Sequence, residues 1–243
     1  MKSILLLGAT SDMAVATAHE FARRGYNIVL AARNISALHR IESDIQIRYK
    51  VEVKVLGFDA LNYTEHQALV DGLNPLPEVT ALFFGELGEH EAAIKDWAIS
   101  QKILEVNFNG AASVLHHIAN RYEAAKQGTI VGVSSVAGER GRQSNYIYGS
   151  AKAGFTAFLS GLRNRLYKSG VHVATIKPGF VVTKMTDHLE LPKLLTATPQ
   201  QVAKAIYQAV RKSKDVVYVL PVWRLIMQNI KLIPEKVFKR MSL

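Results

Sequence analysis

"LLLGATSDMAVATA" (residues 5–18) is an apolar run that stops at Gly8 and passes within a few residues into a helix-like pattern. A strand that ends on a glycine and turns into a helix leaves free N–H groups at the helix start, and these attract a phosphate. The residues placed to meet one are Gly8, Thr10, Ser11, Asp12 and Met13. Gly8 permits the tight turn, and Ala14 is small enough for close packing of helix on strand. Asp12 stands where a dinucleotide turn would carry a second glycine. A carboxylate there repels a phosphate unless it points away. Two readings of the turn follow: a dinucleotide site, or a plain strand–turn–helix capped by Ser11 or Asp12.

The rest of the chain repeats the same alternation. Apolar runs at Ile4–Leu7, Asn27–Ala31, Val51–Leu56, Val79–Phe84, Thr129–Val133, Val171–Ile176 and Val216–Leu220 read as strands. Helical-period segments separate them. Ala14, Ala18, Phe21 and Ala22 share one face, and Gly25 sits where that helix would end. Phe155, Leu159, Leu162 and Leu166 form a second stripe. Strands alternating with helices imply an α/β fold: a single doubly wound parallel sheet with helices on both faces. Residues 1–220 read as one domain, and 221–243 as a basic amphipathic tail.

Composition narrows the class. The 243 residues are 49% hydrophobic and 21% charged, as in an ordinary globular protein. No cysteine is present, so disulfides and thiolate metal sites are excluded. The N-terminal apolar run is too short for a signal-peptide core, and no uncharged stretch reaches the roughly 18 residues needed to span a bilayer. A cytoplasmic location is the expectation. The net charge of +10 raises the question of nucleic acid. The basic residues are scattered and no binding motif accompanies them, so no nucleic-acid partner is expected. His116 and His117 are adjacent, and a helix sends them in different directions; no metal site is expected.

The second strand ends in "VLAARN", with Ala32 where dinucleotide folds place a ribose-binding acid, followed by Arg33. An acid would repel a 2′-phosphate, whereas an arginine can pair with one. The choice leans to NADP(H) over NAD(H), against the alternative of a solvated arginine in a loop.

Two tyrosines precede a lysine by four residues, Tyr122 with Lys126 and Tyr148 with Lys152. Tyr148 opens a helix just after a strand whose end carries Ser134 and Ser135. Tyr122 lies late in a helix beginning near Gln101 and reads as a packed or surface tyrosine. A neighbouring ammonium favours the phenolate, so Tyr148 beside Lys152 can exchange a proton with a carbonyl or an alcohol.

In order and spacing, the Gly8 turn, "FDA" at Asp59, "NFNG" at Asn107, "VSSVAG", "YGSAK" and "KPGFVVTKM" resemble the short-chain dehydrogenase/reductase family, to about Leu220. The resemblance implies a Rossmann-like fold and an NADP(H)-dependent oxidoreductase acting on a small carbonyl or alcohol. It makes Tyr148 the acid–base, Lys152 its partner and a ribose ligand, Ser135 the substrate-orienting hydroxyl and Asn107 the anchor of a proton-relay water. It places Asp59 at adenine, and Pro178, Gly179 and Thr183 at the nicotinamide end. It also suggests a homodimer or homotetramer. Two departures stand out: Asp12 and Ala14 in the turn, and "FFGELG" after the fourth strand, where Gly85 keeps a backbone approach to the cofactor.

The tail "VWRLIMQNIKLIPEKVFKRMSL" carries Trp223, Ile226, Ile230, Ile233, Val237 and Met241 at near-helical spacing, with Arg224, Lys231, Lys236, Lys239 and Arg240. Such a segment suits a membrane interface, a dimer interface or the cover of a substrate cleft. Its layout is similar to that of bacterial reductases of lipid-linked sugars, which implies a lipid-linked or amphipathic substrate. The segment Lys184–Thr198 follows the nicotinamide loop and is expected near substrate. Competing classes are a dinucleotide sensor or scaffold without turnover, and a membrane-surface adaptor.

Overall fold

The structure is a computed structural model describing residues 2–184, 186 and 190–241. Its strands are β1 (Ser3–Leu7), β2 (Asn27–Ala32), β3 (Val53–Gly57), β4 (Val79–Leu82), β5 (Thr129–Val133), β6 (His172–Lys177), β7 (Phe180–Val181), β8 (Thr196–Ala197) and β9 (Val216–Tyr218). Seven of them form one sheet in the order β3-β2-β1-β4-β5-β6-β9, and every neighbouring pair is parallel. Each is one of the seven apolar runs, shifted by no more than a few residues at its ends. Only the short pair β7-β8 has no counterpart in the sequence pattern; two residues are too few for a period to show.

Alternation along the strands divides the core. Ile4 and Leu6 of β1 face one layer, Leu5 and Leu7 the other, and all four are fully buried. The first layer is built on helices α1 (Asp12–Ala22), α2 (Ile35–Tyr49) and α8 (Pro199–Arg211), which contribute Phe21, Leu38, Ile45, Val202 and Ile206. The second is built on α3 (Tyr63–Asp71), α6 (Gly110–Ala125) and α7 (Tyr146–Leu166), with Val70, Val114, Ile118, Phe155 and Leu159. Each such side chain contributes about 2 kcal/mol by leaving water. Helices α4 (His90–Lys95), α5 (Trp97–Leu104), α9 (Val222–Leu232) and α10 (Glu235–Phe238) complete the fold.

The chain runs β1, β2, β3 towards one edge, then returns to place β4 on the other side of β1. This reversal opens a crevice at the carboxyl ends of β1 and β4, where doubly wound folds bind ligands. Among the described residues no helix is long and apolar enough to cross a membrane.

Candidate active site

A crevice of about 820 Å³ lies at that reversal, lined by Gly8, Thr10, Ser11, Asp12 and Met13 of the first turn. Arg33 lines it from the end of β2, Asp59 from the end of β3, Gly85 from the end of β4, and Thr183 from the loop after β7. Gly8 has φ +82°, and a Cβ there would lie 2.6 Å from the backbone nitrogen of Phe84. The turn therefore needs glycine twice, for its left-handed backbone and for the close approach of the chain leaving β4. Ala14 is fully buried under the helix, as its size allows.

Ser11 precedes α1 but makes no side-chain capping bond. Asp12 does not cap the helix either: its Oδ2 accepts the backbone N–H of Lys184 at 2.8 Å. The carboxylate thus points away from the turn, towards the loop after Thr183. The free N–H groups of the first turn of α1 are left for an anion, and Arg33, exposed, has no acidic partner among the described residues. These features fit a dinucleotide. Asp59 receives the Leu61 N–H on Oδ1, and its carbonyl lies 3.0 Å from Nε2 of the buried His66.

The hydroxyl and ammonium groups come from β5 and α7. Ser134 and Ser135 both leave β5, but only one is free to face substrate. The Ser134 hydroxyl donates to the Lys152 carbonyl at 3.0 Å and meets Thr156 at 2.7 Å. Ser135 accepts the Ala137 N–H at 3.1 Å, and its hydroxyl is close enough to Tyr148 to favour the phenolate. Burial pushes the Tyr148 phenol up to about 12, and the Ser135 hydroxyl pulls the other way. Burial also brings Lys152 down to about 8. Its Nζ lies 5.6 Å from the centroid of the Tyr148 ring and 3.4 Å from the Val133 carbonyl. The ammonium therefore lies along the ring, and burial outweighs the depression of the phenol expected from the four-residue spacing.

Asn107 sits in a π-helical turn, Glu105–Asn109, between α5 and α6. Its amide donates to the Glu86 and Ile103 carbonyls at 2.6 and 2.8 Å. Gly85 is where the pieces meet: a Cβ there would lie 2.7 Å from Asn107 Oδ1 and 3.4 Å from Lys152 Nζ. "FFGELG" thus keeps the glycine that the site needs. Tyr122 is fully buried, its hydroxyl held by Thr80 and the Pro77 carbonyl, while Lys126 caps the helix in the left-handed region. That pair does no proton chemistry.

The tail closes the far side. Trp223 packs against Gly179, meets Phe180 edge-on, and donates to the Leu195 carbonyl at 2.9 Å. Val136, next to Ser135, donates its N–H to the Pro178 carbonyl at 3.0 Å. Arg140 donates to the Ile230 and Ile233 carbonyls at 2.5 and 2.7 Å, pairs with Glu235, and covers the Phe238 ring. Glu139 is held by Lys177, Lys231 and the Tyr218 hydroxyl. The first half of the tail's apolar stripe packs on its own body, with Trp223 and Met227 buried and Ile226 and Ile230 beside them, while Val237 and Met241 stay exposed. The sequence pattern gave no partner for Trp223, since Gly179 lies 44 residues away. Among the described residues no group of three or more His, Asp or Glu is placed to hold a metal.

A family model described as short chain dehydrogenase matches residues 2–193. An uncharacterized oxidoreductase of Mycobacterium tuberculosis is 36% identical, covering 91% of this chain and 91% of its own. One from Streptomyces coelicolor is 34% identical over 99% of this chain and 96% of its own. A short-chain dehydrogenase from Sphingobium yanoikuyae, solved in complex with NADPH, superposes with a TM-score of 0.84 at 19% identity, covering 95% of this chain and 93% of its own. On the family match and the two relatives, this chain belongs to the short-chain dehydrogenase family of oxidoreductases.

Proposed function

We propose that the chain reduces a carbonyl to an alcohol with NADPH, using Asn107, Ser135, Tyr148 and Lys152. The observation that carries this reading is the convergence of Lys152 alongside the Tyr148 ring with Asn107 Oδ1 and Lys152 Nζ both against Gly85. A bound nicotinamide supplies the hydride. Ser135 orients the substrate oxygen. Tyr148 keeps its proton at neutral pH, which is the form that donates to an oxygen gaining negative charge. Lys152, alongside the ring, steadies the charge left on the phenol.

Arg33 supports NADP(H) over NAD(H), because it lines the crevice at the end of β2 and forms no ion pair with a carboxylate among the described residues. The Sphingobium yanoikuyae dehydrogenase was solved with NADPH, which agrees. Of the three roles open to the tail, the packing of Trp223 and Met227 favours a wall of the substrate cleft over a membrane anchor. The exposed apolar side chains Val182, Leu194 and Leu225 on the surrounding segments favour an amphipathic substrate. A cytoplasmic homodimer or homotetramer goes with this reading on family grounds.

The experiment is a carbonyl screen with NADPH and NADH in parallel, ketosugars and lipid-like ketones included. Turnover that uses NADPH in preference to NADH is expected. Cofactor binding without turnover of any carbonyl would favour a sensor instead.

A further inference from the structure

Asp12 is the residue that the phosphate turn does not account for. It stands at the start of α1, lines the crevice beside Gly8, Thr10 and Ser11, and carries a charge of the wrong sign for a phosphate. Its Oδ2 is committed to the backbone N–H of Lys184 at 2.8 Å. Its Oδ1 lies 3.9 Å from the Lys184 ammonium. The two residues are 172 positions apart in sequence, so the contact joins the pyrophosphate side of the crevice to the loop that follows Thr183. Lys184 lines the same crevice, and its side chain is 86% exposed and free to swing.

We propose that Lys184 is a ligand of the cofactor pyrophosphate and that Asp12 is the positioning residue that presents it. This rests on the dinucleotide reading given above. A glycine at position 12 would leave the phosphate to backbone N–H groups alone. The aspartate turns one oxygen to the loop backbone, holding Lys184 at the rim. The flexible stem of the lysine then carries a positive charge back over the turn, offsetting the carboxylate and meeting the phosphate oxygens. Because pyrophosphate is common to both nicotinamide dinucleotides, Lys184 serves affinity and not the choice between them. That choice falls to Arg33.

The test uses the full chain and titrates NADPH and NADH by cofactor fluorescence at two salt concentrations, with thermal unfolding checked for each variant. Lys184→Gln is expected to weaken both cofactors by the same factor, about tenfold, with a shallower salt dependence. Asp12→Ala releases the loop and is expected to weaken both as well. Asp12→Asn keeps an oxygen that accepts the Lys184 N–H while removing the charge, and is expected to bind at least as tightly as the wild type. Unchanged binding in Lys184→Gln would overturn the proposal, as would loss of NADPH affinity alone. Asp12→Asn as weak as Asp12→Ala would overturn the presenting role. A wild-type chain that binds neither cofactor would instead sink the dinucleotide reading on which the proposal stands.

Discussion

Trp223 lies against Gly179 so closely that a Cβ built on the glycine would come 1.9 Å from Cε2 of the indole. A residue of the tail and a residue of the loop between β6 and β7 therefore share one space. Gly179→Ala is expected to push the indole out and to destabilise the fold by about 1–3 kcal/mol, the usual cost of overpacking. The checks are a red-shifted tryptophan emission and a lower unfolding midpoint. An unchanged spectrum would mean that the ring is not seated there.

Tyr148→Phe removes the proton donor and leaves the ring in place. Turnover is expected to fall about a thousandfold, while the NADPH dissociation constant stays within a factor of about two. Rapid-mixing kinetics beside a cofactor titration separates the two effects.

Arg33→Ala tests the choice of cofactor. NADPH affinity is expected to drop roughly 10- to 100-fold, with NADH affinity unchanged, because only the former carries a 2′-phosphate. An equal loss for both would place the arginine elsewhere.

Arg140→Ala cuts the ties to the Ile230 and Ile233 carbonyls and to Glu235. A loss of about 2 kcal/mol is expected, together with faster proteolysis in the tail and a raised KM. Arg140→Lys keeps the charge and loses the planar fork, so it should recover only part of the difference.

Glu139 gives a pH signature. Burial alone would raise its pKa, but hydrogen bonds from Lys177, Lys231 and Tyr218 outweigh burial and hold it at about 2. A carboxylate depressed in the folded state adds stability above its unfolded pKa and loses it as the pH falls through the folded one. The advantage of the wild type over Glu139→Gln in urea midpoint should be full near neutrality and shrink from about pH 4.5 towards about pH 2. A gap that does not vary with pH would mean that the group is not ionised in the fold.

The sheet was legible because its strands are buried on both faces and read as apolar runs such as Ile4–Leu7. Gly8, Ser135 and Tyr148 stood out because each ends a strand or opens a helix, and Lys152 because it lies one turn on from Tyr148; Asn107, inside a helical run, had only the resemblance to mark it. Asp12 was visible as an anomaly but not as a solution, since its partner Lys184 lies on the far side of the chain and nothing local marks the pair. Trp223 was open in a similar way. A tryptophan on a basic amphipathic helix has the same pattern whether its face meets lipid or protein. The phenol of Tyr148 shows a third kind of gap. Spacing puts a lysine on the same helix face, but only packing fixes how much water each group has lost.

The widened turn at Glu105–Asn109 places one extra residue in an otherwise continuous run from Trp97 to Ala125. In a plain α-helix one added residue would rotate all that follows by about 100°. The π-turn absorbs it instead, so both flanking stretches keep their facing: Asn107 stays against Gly85, and Tyr122, about four turns on, stays bonded to Thr80. The surplus is taken up where the polar residue sits, and the anchored end does not register it.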